Sequence, residues 1–455
     1  MLAIKHREIV NLGRIFKQHG KLLYLVGGSV RDLLLGRESN DLDLTTDAVP
    51  DEVKRLAAEA QPSAIYTVGE RFGTVGLVFD GRRVEITTFR TEQYEPLSRK
   101  PRVTFGTSLV EDLARRDFTI NAMAQDTTTA EIIDPFGGIA DLRAGLVRAV
   151  GKPAERFAED PLRLLRAVRF SVELGFPIEE NTAAGISAAA PTLANISRER
   201  VAEEMNRVLM SPEPGRGIRQ LVDLGLMAYI IPELLEMLAM DQGRYHHKDV
   251  FEHTLLVLDR VARDLPLRWA ALLHDIAKPR TVSFEDGEVH FWGHEHLGEQ
   301  MARAILTRLR LDGRTIDSVA RLVRMHLRAN QYDEDWTDGA VRRLMREAGD
   351  DLWRLFDLSR ADVTSHRPVR VEAALARVAA LEERCRALAA REAVEALHSP
   401  LDGNELMALF GRPPGPWIRE IKDYLLGLVI EGDLDQDDKE RATQLALAFA
   451  QERGL

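Results

Sequence analysis

The sequence predicts an α/β domain at the N-terminus, followed by a long body that is helical nearly throughout. The strands that we predict from short apolar or alternating runs all lie in about the first 145 residues. From about residue 150 onward apolar residues recur at helical spacing, and clusters of glycine and proline at 211–215 and 412–416 punctuate them. The 455 residues, 45% hydrophobic and 29% charged, are enough to build several packed domains.

The first 145 residues alternate between helix and strand signals. Residues 1–21 carry dispersed charges and predict an amphipathic helix. The apolar run Leu23–Val26 predicts a buried strand that ends at Gly27-Gly28, and a helix is predicted to begin at Ser29. Further strands are predicted at 41–45, 74–79, 84–89 and 131–134, with Asp80-Gly81 as the hairpin turn between the second and third of them.

Composition and charge exclude several classes of protein. No apolar run approaches the roughly 20 residues that span a bilayer, so we expect a cytoplasmic protein with no membrane partner. The single cysteine, Cys385, excludes an intrachain disulfide and a cysteine-based zinc site. The net charge of −11 argues against a surface that is basic overall. Nucleic-acid binding therefore requires a confined basic groove, for which the arginine clusters between 115 and 200 are the candidates.

A glycine turn, GGSVRD at 27–32, lies between the first predicted strand and helix. Gly27 and Gly28 let the backbone approach a ligand closely, and a helix N-terminus offers free N–H groups. Ser29 adds a hydroxyl and Arg31 a cation, and these groups together suit a triphosphate. A plain strand–helix connection would explain the glycines alone.

Asp41 and Asp43 are separated by one residue of the next predicted strand. Side chains alternate along a strand, so both carboxylates are expected on one face, roughly 6–7 Å apart, with Leu42 and Leu44 in the core. Two carboxylates beside a phosphate-binding turn predict a site for Mg²⁺, where two ions can clamp the attacking and leaving oxygens of phosphoryl transfer. Glu85 is a weaker candidate for a third acidic group, because an ordinary exposed strand position explains it slightly better.

Five segments resemble, in order, the motifs of class II tRNA nucleotidyltransferases and bacterial poly(A) polymerases, which are polymerase-β-like nucleotidyltransferases. The glycine turn together with Asp41-Leu42-Asp43 resembles the first motif. The others are RRDFTINA at 115–122, DPFGG followed by DL at 134–142, EDPLR at 159–163 and SRER at 197–200. The resemblance covers about the first half of the chain and implies a polymerase-β-like catalytic head.

The resemblance also implies that Asp160 and Arg163 select ATP or CTP in place of a template strand. Glu159, Asp160 and Arg163 stand at i, i+1 and i+4, so we expect them on one face of a single helix. An aspartate and an arginine offer acceptor and donor edges to a base. An intrahelical salt bridge between Asp160 and Arg163 is the structural alternative.

The remaining predicted nucleotide contacts are also taken from the resemblance. Arg116 and Asp117 are implied to contact the ribose, and Asn121 to line the nucleotide pocket. Capping of a helix by Asp117 or Asn121 is the alternative. Arg166 and Arg169 recur at i+3 from Arg163 and could hold the triphosphate or the RNA backbone.

One segment departs from the family pattern. In CCA-adding members a loop at 91–112 helps to switch specificity from C to A, and often carries an Asp-Gly-Arg-like stretch. This chain reads YEPLSRKP at 94–101, without that aspartate and glycine. Full C-C-A addition, A addition alone and CC addition alone therefore stay open.

The helical half contains a second cluster of candidate ligands. His253, His274-Asp275 and Asp362 resemble the signature of an HD phosphohydrolase domain, and His294 and His326 resemble the additional ligands of its metal-binding members. Imidazoles and carboxylates together suit a divalent transition metal. The alternative is a scaffold domain in which the histidines satisfy hydrogen bonds in the core.

These observations predict an enzyme that adds C and/or A from CTP and ATP to the 3′ end of tRNA. The alternative hypotheses are an A-adding or CC-adding specialist, a poly(A) polymerase, and a non-catalytic RNA-binding protein with an inherited fold. HD-type hydrolysis is a possible second activity, and the oligomeric state is not predicted. The predicted regions are a catalytic head at 1–145, a helical neck at 146–245, an HD domain at 246–370 and a tRNA-binding end at 371–455.

Overall fold

The computed structural model describes residues 6–38, 41–67, 69–70, 73–93, 102–106, 108–239, 250–285, 288–333, 335–364, 368–395, 398–431 and 433–453. The chain forms two compact units, residues 1–324 and 325–455. Within the described ranges, no helix combines the length and the apolar character needed to cross a membrane.

The N-terminal part of the first unit is a mixed β-sheet with helices packed on it. Its strands are β1 (Leu23–Val26), β2 (Asp41–Thr46), β3 (Ala64–Tyr66), β4 (Thr74–Phe79), β5 (Arg82–Thr88), β6 (Arg90–Gln93), β7 (Arg102–Phe105), β8 (Ala124–Asp126) and β9 (Ile132–Ile133). Seven of them form one sheet in the order β3-β4-β5-β2-β1-β8-β9, while β6 and β7 pair separately. Its helices are α1 (Arg7–Gln18), α2 (Gly28–Leu34), α3 (Pro50–Glu59), α4 (Leu109–Ala114) and α5 (Gly138–Ala144).

The apolar residues of β1 and α1 form part of the core of the first unit. Strand β1 is buried along its whole length, as expected for a central strand. Helix α1 buries Ile9, Leu12 and Phe16 completely and packs on β1 and α3. Its apolar residues recur at three- and four-residue spacing, which confirms the predicted amphipathic helix.

A series of helices and one hairpin complete the first unit. The helices are α6 (Pro153–Glu159), α7 (Leu162–Leu174), α8 (Glu180–Ala189), α9 (Arg198–Leu209), α10 (Pro214–Asp223), α11 (Glu233–Ala239), α12 (Val250–Arg260), α13 (Leu265–Leu273), α14 (Lys278–Thr281), α15 (His294–Arg308) and α16 (Gly313–Met325), the last ending at the boundary. The hairpin consists of β10 (Val282–Glu285) and β11 (Glu288–Phe291). Helix α7 packs against α9 and α10, and α12 packs against α10 and α13.

The second unit is helical in its described residues. It contains α17 (Asp338–Ala348), α18 (Leu352–Asp362), α19 (Pro368–Glu395), α20 (Gly403–Phe410), α21 (Pro416–Glu431) and α22 (Lys439–Arg453). Leu406, Ile421, Leu425 and Ala446 lie in the core that the last three helices share. Asp402 and Glu405 form a capping box at the start of α20, which satisfies its first N–H groups.

The predicted fold class is confirmed, and the strands predicted at 23–26, 41–45, 74–79 and 84–89 are present to within two residues. Strands β3, β6, β7 and β8 were not predicted, and two further elements differ in detail. The strand predicted at 131–134 is only the two residues of β9. The hairpin β10–β11 interrupts a region predicted to be helical. Its sequence signal was present, because VSFE and EVHF alternate with period two around Asp286-Gly287, but short runs of this kind are easily missed between long helices.

Candidate active site

A row of carboxylates lies on the open face of the sheet. Asp41 and Asp43 face solvent on β2, whereas Leu42 and Leu44 are 3% and 1% exposed, which confirms the predicted alternation. Strand β5 runs parallel to β2, and its register sets Glu85 opposite Asp43. Residues directly opposite one another point to the same face of a sheet, so Glu85 is a third carboxylate beside the pair.

These carboxylates crowd one another. Desolvation raises the pKa of Asp43, Arg116 opposes that rise, and Glu85 and Asp41 add to it. A divalent cation would relieve this repulsion, and a set of carboxylate oxygens is the donor set that Mg²⁺ prefers. The residues therefore fit the predicted ion.

The glycine turn is shaped to lie close to this row. Gly27 has φ +69°, a conformation that favours glycine, and a Cβ there would stand 2.7 Å from Nη1 of Arg116. Ser29 Oγ accepts a hydrogen bond of 3.0 Å from the backbone N–H of Asp43. The Ser29 hydroxyl thus holds the start of α2 against β2, in addition to the predicted role at a triphosphate.

Arg31 and Asn121 are joined across the site. Nη1 of Arg31 donates a 2.8 Å hydrogen bond to Oδ1 of Asn121, and its Nε donates a 2.9 Å bond to Asp32. The guanidinium also lies 5.2 Å from the ring centroid of Phe170 on α7. These contacts connect the glycine turn, the second motif and α7.

Asp117 is the buried centre of this network. Its Oδ2 accepts a 2.7 Å hydrogen bond from Nε of Arg166, and its Oδ1 accepts bonds from Phe118 N at 2.8 Å and from Asn121 Nδ2 at 3.3 Å. Burial alone would raise the pKa of Asp117, but the attraction and hydrogen bonds of Arg166 and Asn121 outweigh it and lower the pKa to about 2. Asp117 therefore stays ionised and holds Arg166 in place.

The two arginines of the second motif are held by an aspartate on α4. Asp112 is completely buried, and its Oδ1 accepts a 2.8 Å hydrogen bond from Nη2 of Arg115. Its Oδ2 lies 3.5 Å from Nη2 of Arg116. Arg116 is thereby fixed between Asp112 and the carboxylates of the sheet.

The segment around the fourth motif differs from the expected single helix, so that prediction was wrong. Helix α6 ends at Glu159 and α7 begins at Leu162, with Asp160 extended at φ −144° and ψ 102°. Pro161 explains the break, because a proline disfavours helical backbone in the residue before it. The predicted alternative of an Asp160–Arg163 salt bridge is not formed either, as the next contacts show.

Each member of this pair has other partners. Oδ2 of Asp160 accepts a 2.8 Å hydrogen bond from Nη2 of Arg200. Arg163 is 8% exposed and donates to Glu159 at 2.6 Å and to the carbonyl of Arg115 at 2.7 Å. Both side chains are therefore fixed from outside α7, and both line the same cleft.

Arg169 and Phe170 of α7 lie beside the other arginines of the site. Arg169 is 6% exposed, and its Nε lies 2.8 Å from Oε2 of the buried Glu204 on α9. Its guanidinium lies 4.3 Å from the ring centroid of Phe170, and that of Arg166 lies 5.3 Å from it. Phe170 thus supports both arginines by cation–π contact.

A cleft of about 550 Å³ brings these side chains together. Its described lining includes Gly27, Gly28, Asp43, Asp117, Asn121, Asp160 and Phe170, with the arginines Arg31, Arg90, Arg115, Arg116, Arg163, Arg166, Arg169, Arg200 and Arg207. Nine arginines against three aspartates make the cleft strongly basic in a chain of net charge −11. This confirms the expectation of a confined basic groove.

Sequence reasoning missed three residues of this lining. Arg90 and Arg207 stand outside the five motifs, so no sequence signal marked them. Phe170 carried a weak signal as an apolar residue between the arginine positions of α7. The predicted loop residues 94–101 lie outside the described residues.

A second cluster lies on the helical side of the first unit. Nε2 of His274 lies 3.3 Å from Nε2 of His253 and 3.2 Å from Oδ2 of Asp275. Nε2 of His294 lies 3.5 Å from Oδ1 of Asp275, and Lys278 Nζ contacts Oδ2 of the same carboxylate at 2.6 Å. His274 and Asp275 are almost completely buried. The four predicted ligands of this unit therefore converge.

Backbone carbonyls orient two of these imidazoles. Nδ1 of His274 lies 2.8 Å from the carbonyl of Ala271, and Nδ1 of His294 lies 2.7 Å from that of Phe291. A carbonyl only accepts, so Nδ1 carries the proton, and the lone pair of Nε2 faces the cluster when the imidazole is neutral. This is the arrangement of metal-binding histidines.

The other two predicted ligands belong to the second unit. His326 is 1% exposed, and its carbonyl accepts a 3.3 Å hydrogen bond from Ser359 Oγ. Asp362 is the last residue of α18 and is half-buried.

Sequence and structure comparisons agree with this geometry. Residues 23–148 match the poly A polymerase head domain, 175–238 the probable RNA and SrmB-binding site of polymerase A, and 250–367 the HD domain. A CCA-adding enzyme of Geobacillus sp. (strain WCH70) is 34% identical over 437 residues, covering 96% of this chain and 95% of the relative. The chain belongs to the tRNA nucleotidyltransferase family that includes the CCA-adding enzymes.

Other tRNA nucleotidyltransferases are similarly close. An A-adding tRNA nucleotidyltransferase of Deinococcus radiodurans is 36% identical over 432 residues, covering 92% of this chain and 94% of the relative. The crystal structure of the Bacillus stearothermophilus CCA-adding enzyme in complex with CTP is 31% identical, covers 98% of both chains and has a TM-score of 0.61. The family thus includes enzymes named for CCA addition and for A addition at comparable identity to this chain.

Proposed function

We propose that this protein adds C and/or A, without a nucleic-acid template, to the 3′ end of tRNA. The observation that carries the proposal is the basic cleft that joins the carboxylate row of the sheet to the Asp160 and Arg163 segment. The family, with its CCA-adding and A-adding members, supports tRNA as the acceptor and CTP and ATP as donors. A tRNA substrate also supports a cytoplasmic location.

Asp41 and Asp43 would hold two Mg²⁺ ions, with Glu85 beside them. Bound there, the ions would lower the pKa of the tRNA 3′-hydroxyl and neutralise charge on the departing pyrophosphate. Ser29 keeps the two aspartates aligned with the glycine turn through its bond to the backbone of Asp43. The chain's own contribution is therefore a rigid row of carboxylates at the edge of the cleft.

The arginine-lined part of the cleft would bind the triphosphate. Gly27 and Gly28 leave room for phosphate oxygens close to the backbone, and Arg116 stands beside them, held by Asp112. Arg31 and Asn121 form a hydrogen-bonded pair that lines the same cleft. Asp117, which the resemblance assigns to the ribose together with Arg116, would hold Arg166 in place for the triphosphate or the RNA backbone. Several guanidinium groups match the charge of a triphosphate.

Asp160 and Arg163 would select the base. Both line the cleft and both are clamped by neighbours, Asp160 by Arg200 and Arg163 by Glu159. A rigid pair of acceptor and donor edges can discriminate between bases by about 1–3 kcal/mol per good contact pair. Asp160 lies at the break between α6 and α7, whereas Arg163 lies in the first turn of α7, so the two residues do not share one helix face.

A product ladder on defined acceptors tests the proposal. Full-length protein is incubated with tRNA ending at the discriminator base, at C74 or at C75, with CTP, ATP or both. Ladders that stop after three, two or one nucleotides identify a CCA-adding, CC-adding or A-adding enzyme. Long A tracts on unrelated RNA would instead indicate a poly(A) polymerase, and no incorporation on any acceptor would refute the proposal.

The same assay tests base selection. Replacing Arg163 with alanine is expected to lower kcat/KM for the correct nucleotide about fivefold to 150-fold and to raise the relative use of UTP and GTP. Lys152 is an exposed cation immediately before α6. The control variant Lys152→Ala should therefore behave as wild type. Unchanged selectivity in Arg163→Ala would remove Arg163 from base choice.

We also propose a metal site of the HD type at His253, His274, Asp275 and His294. The match of residues 250–367 to the HD domain and the convergence of the imidazoles support it. A divalent transition metal suits this mixed nitrogen and oxygen set. Such an ion would supply Lewis-acid chemistry for phosphate-ester hydrolysis.

Metal analysis tests this second site. Protein purified without chelator is expected to carry a divalent transition metal that His274→Ala loses, while addition of C or A to tRNA is retained. His296, an exposed neighbour that contacts Glu295, provides the control His296→Ala. Equal metal content in wild type and His274→Ala would exclude the site.

The predicted division of the chain is also proposed. The matched ranges 23–148, 175–238 and 250–367 support a head at 1–145, a neck at 146–245 and an HD domain at 246–370. The region 371–455 would then be the tRNA-binding end.

A further inference from the structure

A groove of about 740 Å³ lies on the other side of the carboxylate row from the basic cleft. Strand β2 stands between β1, which leads into the glycine turn, and β5. The groove is built on β3, β4 and β5, and Glu85 forms part of its lining. Its volume falls within the roughly 300–1,000 Å³ of ordinary ligand sites.

One crosswise row of the sheet connects this groove to the aspartates. Tyr66 pairs with Gly76, Gly76 with Glu85, and Glu85 with Asp43. Directly paired residues share a face of the sheet, so Tyr66, Glu85 and Asp43 all lie on the open face. The row runs from an aromatic ring to the proposed metal site without leaving that face.

The ring of Tyr66 lies across Gly76. A Cβ on Gly76 would stand 2.0 Å from Cζ of the ring, so only glycine lets the ring lie flat at this position. The pKa of the Tyr66 hydroxyl is raised, first by burial and then by the nearby Glu85 carboxylate. The ring therefore packs against the backbone of β4 at Gly76 while it lines the groove.

The cleft and the groove differ in the number of arginines that line them. The cleft has nine arginines, which suit a triphosphate, whereas the groove has Arg83 and Arg90 beside Glu85, which suit a single phosphodiester. Arg90 lines both cavities, and the paired residues Asp43 and Glu85 line the cleft and the groove respectively, so the two cavities adjoin. In phosphoryl transfer the attacking and leaving oxygens are roughly in line, and so approach from opposite sides.

We propose that this groove holds the 3′-terminal nucleotide of the RNA acceptor, with its base stacked on Tyr66 and its phosphate beside Arg83 and Arg90. The proposal rests on the proposed function, because it needs a nucleotide donor in the basic cleft. Tyr66 is then a positioning residue, since its ring sets the terminal base and thereby the direction of the attacking hydroxyl. Sequence motifs do not mark it, because it lies between the first and second motifs.

A double-mutant cycle between protein and RNA tests this assignment. The acceptor is tRNA with an intact or an abasic 3′-terminal nucleotide, which keeps the hydroxyl and the phosphate but lacks the base. In wild type, loss of the base is expected to lower kcat/KM for the acceptor by between about fivefold and 150-fold, the range for one base on an aromatic ring. Tyr66→Ala should show a similar loss on intact tRNA and little further loss on the abasic acceptor, with KM for the nucleotide unchanged.

Two variants separate stacking from a structural effect. Tyr66→Phe keeps the ring, so its sensitivity to the terminal base should match wild type. Ile65→Ala changes the neighbouring residue of the same strand. Its kcat/KM for the intact and the abasic acceptor should equal that of wild type.

Additive losses in Tyr66→Ala, or loss of base sensitivity in Tyr66→Phe, would overturn the groove assignment. These outcomes are distinct from failure of the proposed function, in which wild-type protein would add no C or A to intact tRNA.

Discussion

Replacing Asp43 with asparagine is expected to lower kcat for nucleotide addition by on the order of a thousandfold or more. Each bound metal supplies several kcal/mol of charge stabilisation in the transition state, and each 1.36 kcal/mol changes the rate tenfold. Asp43 lies at the meeting point of β2, the glycine turn and Glu85. Single-turnover incorporation of labelled CTP or ATP into tRNA measures the effect.

Stability measurements separate this loss from misfolding. Asparagine has nearly the volume of aspartate, and the substitution removes a carboxylate crowded by Glu85, so the unfolding temperature should equal or exceed that of wild type. Asp51 on α3, with a side chain 88% exposed, provides the control Asp51→Asn, which should retain full activity. Near-normal incorporation by Asp43→Asn would exclude the carboxylate row as the catalytic site.

Replacing Asp117 with alanine is expected to reduce the free energy of unfolding of the first unit by about 3 kcal/mol and to impair nucleotide addition as well. Removal of one partner of a buried ion pair leaves the other charge and its hydrogen-bond donors uncompensated. Asp117 is 7% exposed and accepts hydrogen bonds from Arg166, Asn121 and the backbone of Phe118. Urea unfolding followed by circular dichroism measures the change in midpoint.

The double variant Asp117→Ala/Arg166→Ala provides the matched control. If the cost comes from an uncompensated guanidinium, the double variant should be more stable than the sum of the two single losses predicts. Additive losses would mean that Asp117 and Arg166 act independently.

The same residue predicts how stability depends on pH. The folded pKa of Asp117, about 2, lies below its ordinary value of 3.8, so its ionisation contributes stability that is complete above about pH 4 and is lost as pH falls toward 2. This contribution is about 2 kcal/mol, from 1.36 kcal/mol per pKa unit. The difference in unfolding midpoint between wild type and Asp117→Asn should therefore be constant near neutral pH and shrink below about pH 4. A difference that persists at pH 2 would contradict this.

Local sequence was sufficient for the two aspartates. Strand alternation set Asp41 and Asp43 on one face and Leu42 and Leu44 on the other, as the structure confirms. The prediction of one helix through Glu159, Asp160 and Arg163 was wrong for an equally local reason. It extended the helical spacing across Pro161, where the chain leaves α6. Because the residue before a proline disfavours helical backbone, Asp160 should have been predicted to end α6 at the observed position.

The position of Glu85 required the tertiary structure. Its strand pattern marked it only as exposed, and the pairing of β5 with β2 brought its carboxylate to Asp43. Strand order is set by contacts between segments about 40 residues apart, which periodicity along one segment does not record. Tyr66 and Gly76 became parts of one row for the same reason.

From the sequence alone follow the fold class, the glycine turn, the paired aspartates and the candidate ligands, because each depends on chemistry and spacing within a few residues. Only the tertiary structure decided which charges meet. Asp160 pairs with Arg200, Arg166 with Asp117 and Arg169 with Glu204, and Arg90 and Arg207 join the cleft from outside the motifs. Ion pairs and cavity walls form between elements that packing brings together, so residue spacing along the chain does not specify them.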